Sequence, residues 1–170
     1  MSAEELIKEI ESVFDGIPRP DMSLRQFNLV IKNDVSHVIT DSEWEIAGKG
    51  RSDLRWQDIS DSEIEECDFL LTHMQAEELL YYLPAYMRYS VKNHWKGDAD
   101  VIGFTIYAVY PSALDEVLFN HEVEKFDLLN RAQREMIVKF LKFVANKADF
   151  VHRPDAMLAL ERYWDQNGNN

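Results

Sequence analysis

The chain has 170 residues, 46% of them hydrophobic and 12% aromatic, enough for one domain with a proper core and against wholesale disorder. With 31 acidic against 18 basic residues the formal charge is -13. A field of that sign repels phosphate backbones, which argues against nucleic-acid binding; it favours a basic protein partner, although better solubility needs no partner at all.

Cys67 is the single cysteine, so neither an intrachain disulfide nor a thiolate zinc cage can form, as suits a reducing compartment. No apolar run reaches the ~18 residues of a membrane helix, and none follows a basic N-terminal stretch. The expectation is a cytoplasmic protein with no signal peptide and no membrane span.

Ser2 and Glu5 have capping-box spacing, in which hydroxyl and carboxylate each take an orphan backbone amide. Leu6, Ile7, Ile10, Val13 and Phe14 then line one helix face up to Gly16, a natural stop. Pro18-Arg19-Pro20 is extended, because a residue before proline is pushed out of the helical region. Ser23 with Gln26 caps a second helix carrying Leu24, Phe27, Val30 and Ile31 to about Asn33. Val35 to Ile39 reads as strand or loop. Thr40 with Glu43 opens a short helix holding Trp44 and Ala47, closed by Gly48 and Gly50.

Trp56 and Ile59 pin the next connection into the core. Between them and the following segment lie six carboxylates, Asp58, Asp61, Glu63, Glu65, Glu66 and Asp68, with no basic residue among them. Ile64 and Cys67 give this stretch one apolar edge; a charge run of this kind is usually a solvated face.

The stretch 72–95 organises the rest. Thr72 and Gln75 have cap spacing, and Ala76, Leu79, Leu80, Leu83, Tyr86, Met87, Ser90 and Val91 recur at helical steps. Pro84 sits inside that pattern. It lacks an N–H and crowds the Leu80 carbonyl, and no capping residue at 81–83 could start a fresh helix, so a kink is expected rather than a break.

After Gly97 comes Asp100 and the apolar run 101–110, ended by Pro111. Its β-branched and aromatic content suits a strand, its length and Asp caps suit a buried helix, and periodicity does not separate them. A lone strand would strand its own backbone groups, which favours helix. Residues 113–120 form a short helix or an ordered loop. Asn130 and Gln133 open a helix with Met136, Ile137, Phe140, Leu141 and Val144 inward and Lys139, Lys142 and Lys147 toward its C-terminal half. Pro154 and Asp155 begin the last helix, whose docking face is Ala156, Leu158, Ala159, Tyr163 and Trp164. The expected fold is all-α: one multi-helix domain over 1–166 around the proline-kinked helix, with a frayed tail at 167–170.

One combination carries a resemblance: Ala3-Glu4-Glu5-Leu6-Ile7 with Phe14, Gly16, Pro18 and Pro20; Trp56-Gln57-Asp58-Ile59; Phe69-Leu70; Tyr81-Tyr82-Leu83-Pro84-Ala85-Tyr86-Met87; and Phe126, Leu129-Asn130, Gln133, Phe140-Leu141 and Tyr163-Trp164. It resembles a family of small bacterial proteins with no assigned activity, marked by a Tyr-Leu-Pro-Ala-Tyr core. Asn130 stands where a Thr cap is expected and keeps the capping role. The resemblance implies a mostly helical bacterial domain and no substrate.

Catalytic patterns are weak. His121, Glu122 and Glu124 group three metal-ligand types, but the two histidines four apart of a zincin are missing, so ordinary surface charge is preferred and no metal or cofactor is assigned. His73 and His94 read as partly buried or dipole-stabilised side chains rather than general bases. Glu77 and Glu78 point about 100° apart on a helix and cannot act as a pair. Acidic neighbours disfavour a Cys67 thiolate. Gly-rich phosphate loops and Gly-x-Ser-x-Gly elbows are absent from the sequence.

Tyr82, Tyr86 and Tyr89 form a stripe that either seals the core edge with wet hydroxyls or, with Arg88 and His94, lines a groove at the kink. The reading preferred is a non-enzymatic binding module for a basic protein, of bacterial immunity or antitoxin type, using the acidic run Asp58, Asp61, Glu63, Glu65, Glu66 and Asp68. The alternatives are a small-molecule binder or enzyme with its pocket at Pro84, and a helical scaffold component.

Overall fold

The computed structural model describes residues 1–33, 36–51, 53–95, 100–147 and 151–167. Val35, Gly97 and the last three residues of the tail lie outside them. Among the described residues every regular element is helical, as expected.

Four of the five capping boxes read from the sequence are formed. Ser2 caps α1 (Ala3–Val13), its Oγ accepting from the Glu5 amide at 3.2 Å while Glu5 Oε2 accepts from the Ser2 amide at 2.7 Å. The same reciprocal pair joins Ser23 and Gln26 at α2 (Leu24–Lys32) and Thr40 and Glu43 at α3 (Asp41–Lys49). Asn130 and Gln133 repeat it at α8 (Arg131–Lys147). Between α1 and α2, Gly16 takes a φ of 72°, left-handed backbone open to glycine without strain, and turns the chain into the Pro18-Arg19-Pro20 segment.

The fifth box is not made. Leu70 and Leu71 are both buried, and the chain folds a tight 3-10 turn at Leu70–His73 to seat them. Thr72 donates its hydroxyl back to the Phe69 carbonyl instead of capping anything. The central helix α5 therefore starts later than expected and covers Ala76–Lys92, with Gln75 as an N-cap that makes no side-chain bond. Pro84 lies inside it without ending it.

Ahead of α5 sit a 3-10 turn at Trp56–Asp58 and α4 (Asp61–Glu66). Trp56 does pin this connection: its indole donates to the Phe14 carbonyl at 2.7 Å, tying the end of α1 to the loop. After α5 the ambiguous run is a helix, α6 (Val101–Ala108), packed against α5. Being buried on most sides, it shows no polar face for a period to reveal. Its Thr105 accepts from Ser90 at 3.3 Å and donates to its own Val101 carbonyl, so this buried polar pair is satisfied.

Residues 113–120 divide into a loop and the start of α7 (Glu116–Glu124). The last helix runs as α9 (Arg153–Ala159), one π turn at Leu160–Trp164 and α10 (Asp165–Asn167). Trp164 is fully buried and donates its indole N–H to the Val109 carbonyl at 2.6 Å, but Leu158, expected on the docking face, is exposed. α1, α5 and α8 pack on one another, α6 and α9 extend that core, and α2 with α3 lies along its side.

Candidate functional site

α5 shows what its polar residues are for. Tyr82, Tyr86 and Tyr89 are 1%, 0% and 3% exposed, so none offers a surface to a partner. Their hydroxyls are not wet. Tyr82 donates to the Met22 carbonyl at 2.8 Å, Tyr86 to the Cys67 carbonyl at 2.5 Å and Tyr89 to Glu65 Oε1 at 2.6 Å. Arg88 donates to the carbonyls of Gln57 and Ile59, and its guanidinium lies 5.4 Å from the Trp56 ring centre. His94 bonds the Val91 carbonyl through Nδ1 and meets the Phe143 ring edge-on. Tyr82, Tyr86, Arg88 and Tyr89 brace the preceding segments against the helix, whereas His94 bonds back to the helix itself.

A further brace, unmarked in the sequence pattern, centres on Asp53. Asp53 is buried and accepts two bonds from Arg51, at 3.0 and 3.2 Å, and one from Tyr81 at 2.8 Å. Arg19 donates to the Asp53 carbonyl and Arg51 to that of Asp21, so the Pro18–Pro20 loop and the connection after α3 are sewn together. An acid two residues from an arginine in a polar connection gives no local sign that both will be buried.

The acidic run is largely consumed by the fold. Asp58 accepts the amides of Leu54 and Arg55, Asp61 pairs with Lys92 at 2.7 Å, Glu66 with Arg25 at 3.4 Å, and Asp68 takes the Phe69 amide. Glu65 holds Tyr89. Glu63 is 5% exposed, and burial raises its carboxyl pKa despite Arg25 nearby. Burial, followed by the charges of Glu63 and Glu66, pushes the Cys67 thiol up to about 12, which disqualifies it as a nucleophile at neutral pH.

Concavity lies elsewhere, at the N-terminal end of α5. Gln75, Ala76, Glu77 and Glu78 face His121 and Glu124 of α7, Lys125 just beyond it and the turn Asp127–Leu128 across a hollow of about 490 Å³. A second hollow, of about 310 Å³, shares Glu77 and Leu128 with it and is walled by Ile17, Pro18, Arg19, Pro20 and Leu80. The two adjoin at Glu77 and Leu128 as one trough, with apolar walls in the second hollow and a rim of Glu77, Glu78, Glu124 and Asp127 at the first.

The rim's cations are largely committed. Arg19 is spent on the Asp53 carbonyl, His121 sits 3.2 Å from Glu124, and Lys125 lies over the Phe126 ring with its pKa lowered by burial. Among the described residues no cation pairs with Glu77, Glu78 or Asp127, and no three His, Cys, Asp or Glu gather as a metal-ligand set. What this geometry can do is hold a cationic group against an apolar wall. The sequence reading weighed Glu77 and Glu78 only as a catalytic pair; the exposure of Leu128 is a tertiary property that no local pattern carries.

No helix among the described residues is long and apolar enough to cross a membrane. No curated protein and no solved structure matches the chain. A family model described as a family of unknown function, DUF6714, matches residues 2–168, and the chain belongs to that family.

Proposed function

We propose that the chain is a non-enzymatic binding module that takes a basic segment of another protein in the trough at the start of α5. The observation that carries this reading is the set of Glu77, Glu78, Glu124 and Asp127 beside the apolar walls of Leu80, Leu128, Ile17 and Pro20. A lysine or arginine laid there keeps its stem on the apolar walls and its charge among the carboxylates. The formal charge of -13 adds long-range attraction for such a partner and speeds encounter. An inhibitor of bacterial immunity or antitoxin type fits, since covering a basic cleft requires an acidic surface and no chemistry.

The test is binding of a fluorescent lysine- and arginine-rich peptide, followed by anisotropy at several salt concentrations. Glu124→Lys with Asp127→Lys is expected to weaken it about tenfold, ~1.4 kcal/mol, and to flatten the salt dependence. The same charge change at Asp41 and Glu45 of α3, which lie outside the trough, serves as control. Equal losses from both pairs would reduce the attraction to net charge and remove the trough from the account.

A further inference from the structure

α7 is a helix without a buried residue. Its inner side is nevertheless fixed. Phe119 meets Tyr163 edge-on at 6.2 Å, Val123 packs on the core, and Glu122 accepts the amides of Ser112 and Ala113 at 2.6 and 3.0 Å. Arg162, from the π turn, holds the carbonyls of the same two residues. With 119, 122 and 123 facing in, helical phase turns 117, 121 and 124 outward, with 118 on the flank.

The start of that outer side is apolar, with Leu114 just ahead of the helix, and it turns polar at His121 and Glu124. Leu114, Val117 and Leu118 are 94%, 74% and 59% exposed, and Leu128 beyond them is 49% exposed. Single exposed apolar residues are ordinary, whereas a contiguous row marks an interface. The row runs into His121, Glu124 and Lys125, which already line the trough. The apolar strip and the acidic rim are therefore two halves of one continuous surface.

We infer that this surface takes a cationic amphipathic helix, with apolar residues on Leu114, Val117 and Leu118 and lysines or arginines among Glu77, Glu124 and Asp127. The inference rests on the trough reading and adds the form of the partner. Charge complementarity selects the cationic face. Among the described residues there is no strand edge for an extended peptide to pair with, which favours a partner that satisfies its own backbone as a helix.

Two synthetic helical peptides of equal length and equal lysine content test it, one with a leucine face and one with glutamine in its place. The leucine peptide is expected to bind at least tenfold more tightly. The triple variant Leu114→Ser, Val117→Ser, Leu118→Ser should abolish that advantage, leaving the glutamine peptide's affinity and the thermal midpoint unchanged, since all three side chains are exposed. Equal affinity of the two peptides, unmoved by the triple variant, would overturn the inference and leave the trough reading standing. No binding of either peptide, or binding indifferent to Glu124→Lys with Asp127→Lys, would remove both. A concentration-dependent dimer in sedimentation that the triple variant dissolves would give the strip to a second copy of the chain and overturn the inference as well.

Discussion

Truncating Asp53 to alanine tests whether the loops are held by buried charge. The carboxylate is 3% exposed and takes two bonds from Arg51 and one from Tyr81. Without it the guanidinium, on a side chain only 11% exposed, keeps the Asp21 carbonyl but loses its counter-ion. Stranding one member of a buried pair costs about 3–5 kcal/mol, and an orphaned buried hydroxyl about 1–3 kcal/mol on its own. The two overlap in one network, so the expected loss for Asp53→Ala is about 3–5 kcal/mol, a large share of a total of roughly 5–15 kcal/mol.

Asp53→Asn retains an acceptor for Tyr81 and is expected to lose about half as much. Urea unfolding followed by tryptophan fluorescence measures both, and a double-mutant cycle with Tyr81→Phe should show coupling of about 0.5–3 kcal/mol. A loss under about 1 kcal/mol for Asp53→Ala, or strict additivity with Tyr81→Phe, would refute the reasoning.

Three further outcomes follow from other buried groups. Burial raises the Glu63 carboxyl above its ordinary 4.5, so the folded chain binds this proton more readily than the unfolded one. The stability contributed by the protonated form is full below the unfolded pKa and is lost as pH rises through the folded value. Glu63→Gln should therefore stabilise the protein at neutral pH and give no gain below about pH 4, with equal gains at both as the contrary result in thermal melts. Cys67, pushed up to about 12, should resist alkylation in the native protein at pH about 8 and react fully in denaturant; rapid native labelling would show the burial to be wrong. Tyr86→Phe removes the 2.5 Å donor of the Cys67 carbonyl, which keeps the Leu70 amide, and should cost about 0.5–1.5 kcal/mol by urea unfolding, an unchanged midpoint being the contrary result.

Much of the helical skeleton was legible because its signals are local. A capping box needs only two residues three apart, and Ser2, Ser23, Thr40 and Asn130 all act on it. Thr72 carries the same signal and fails, because seating Leu70 and Leu71 demands a tight turn that consumes its hydroxyl. The period of α5 found Leu79, Leu83, Tyr86, Met87, Ser90 and Val91 inside, but the helix is buried all round at 81–87, Ala76 and Leu80 are only half-buried, and a period cannot say where a phenol ends: Tyr82 finds its acceptor at Met22. The carboxylates at 58–68 looked like a free acidic face for a related reason, since Lys92, Arg25 and Tyr89 reach them only after the chain has folded. The trough joins α5, α7 and the Pro18–Pro20 loop, and three segments far apart in sequence leave no common pattern to read.

The row of polar side chains on α5 makes that helix a ruler for the chain before it. Tyr81, Tyr82, Tyr86, Arg88 and Tyr89 each close on a different upstream segment, at Asp53, Met22, Cys67, the Gln57–Ile59 turn and Glu65. Each added residue advances a helix by about 100° and ~1.5 Å. One residue inserted between Tyr82 and Tyr86 would swing the two ends of the row out of phase, so that either the early or the late acceptors lose their donors together. Lengthening the connection just before Thr40, which holds none of these acceptors, disturbs none of them. Natural variants of this chain should thus differ in length in their connections while the spacing within α5 stays invariant.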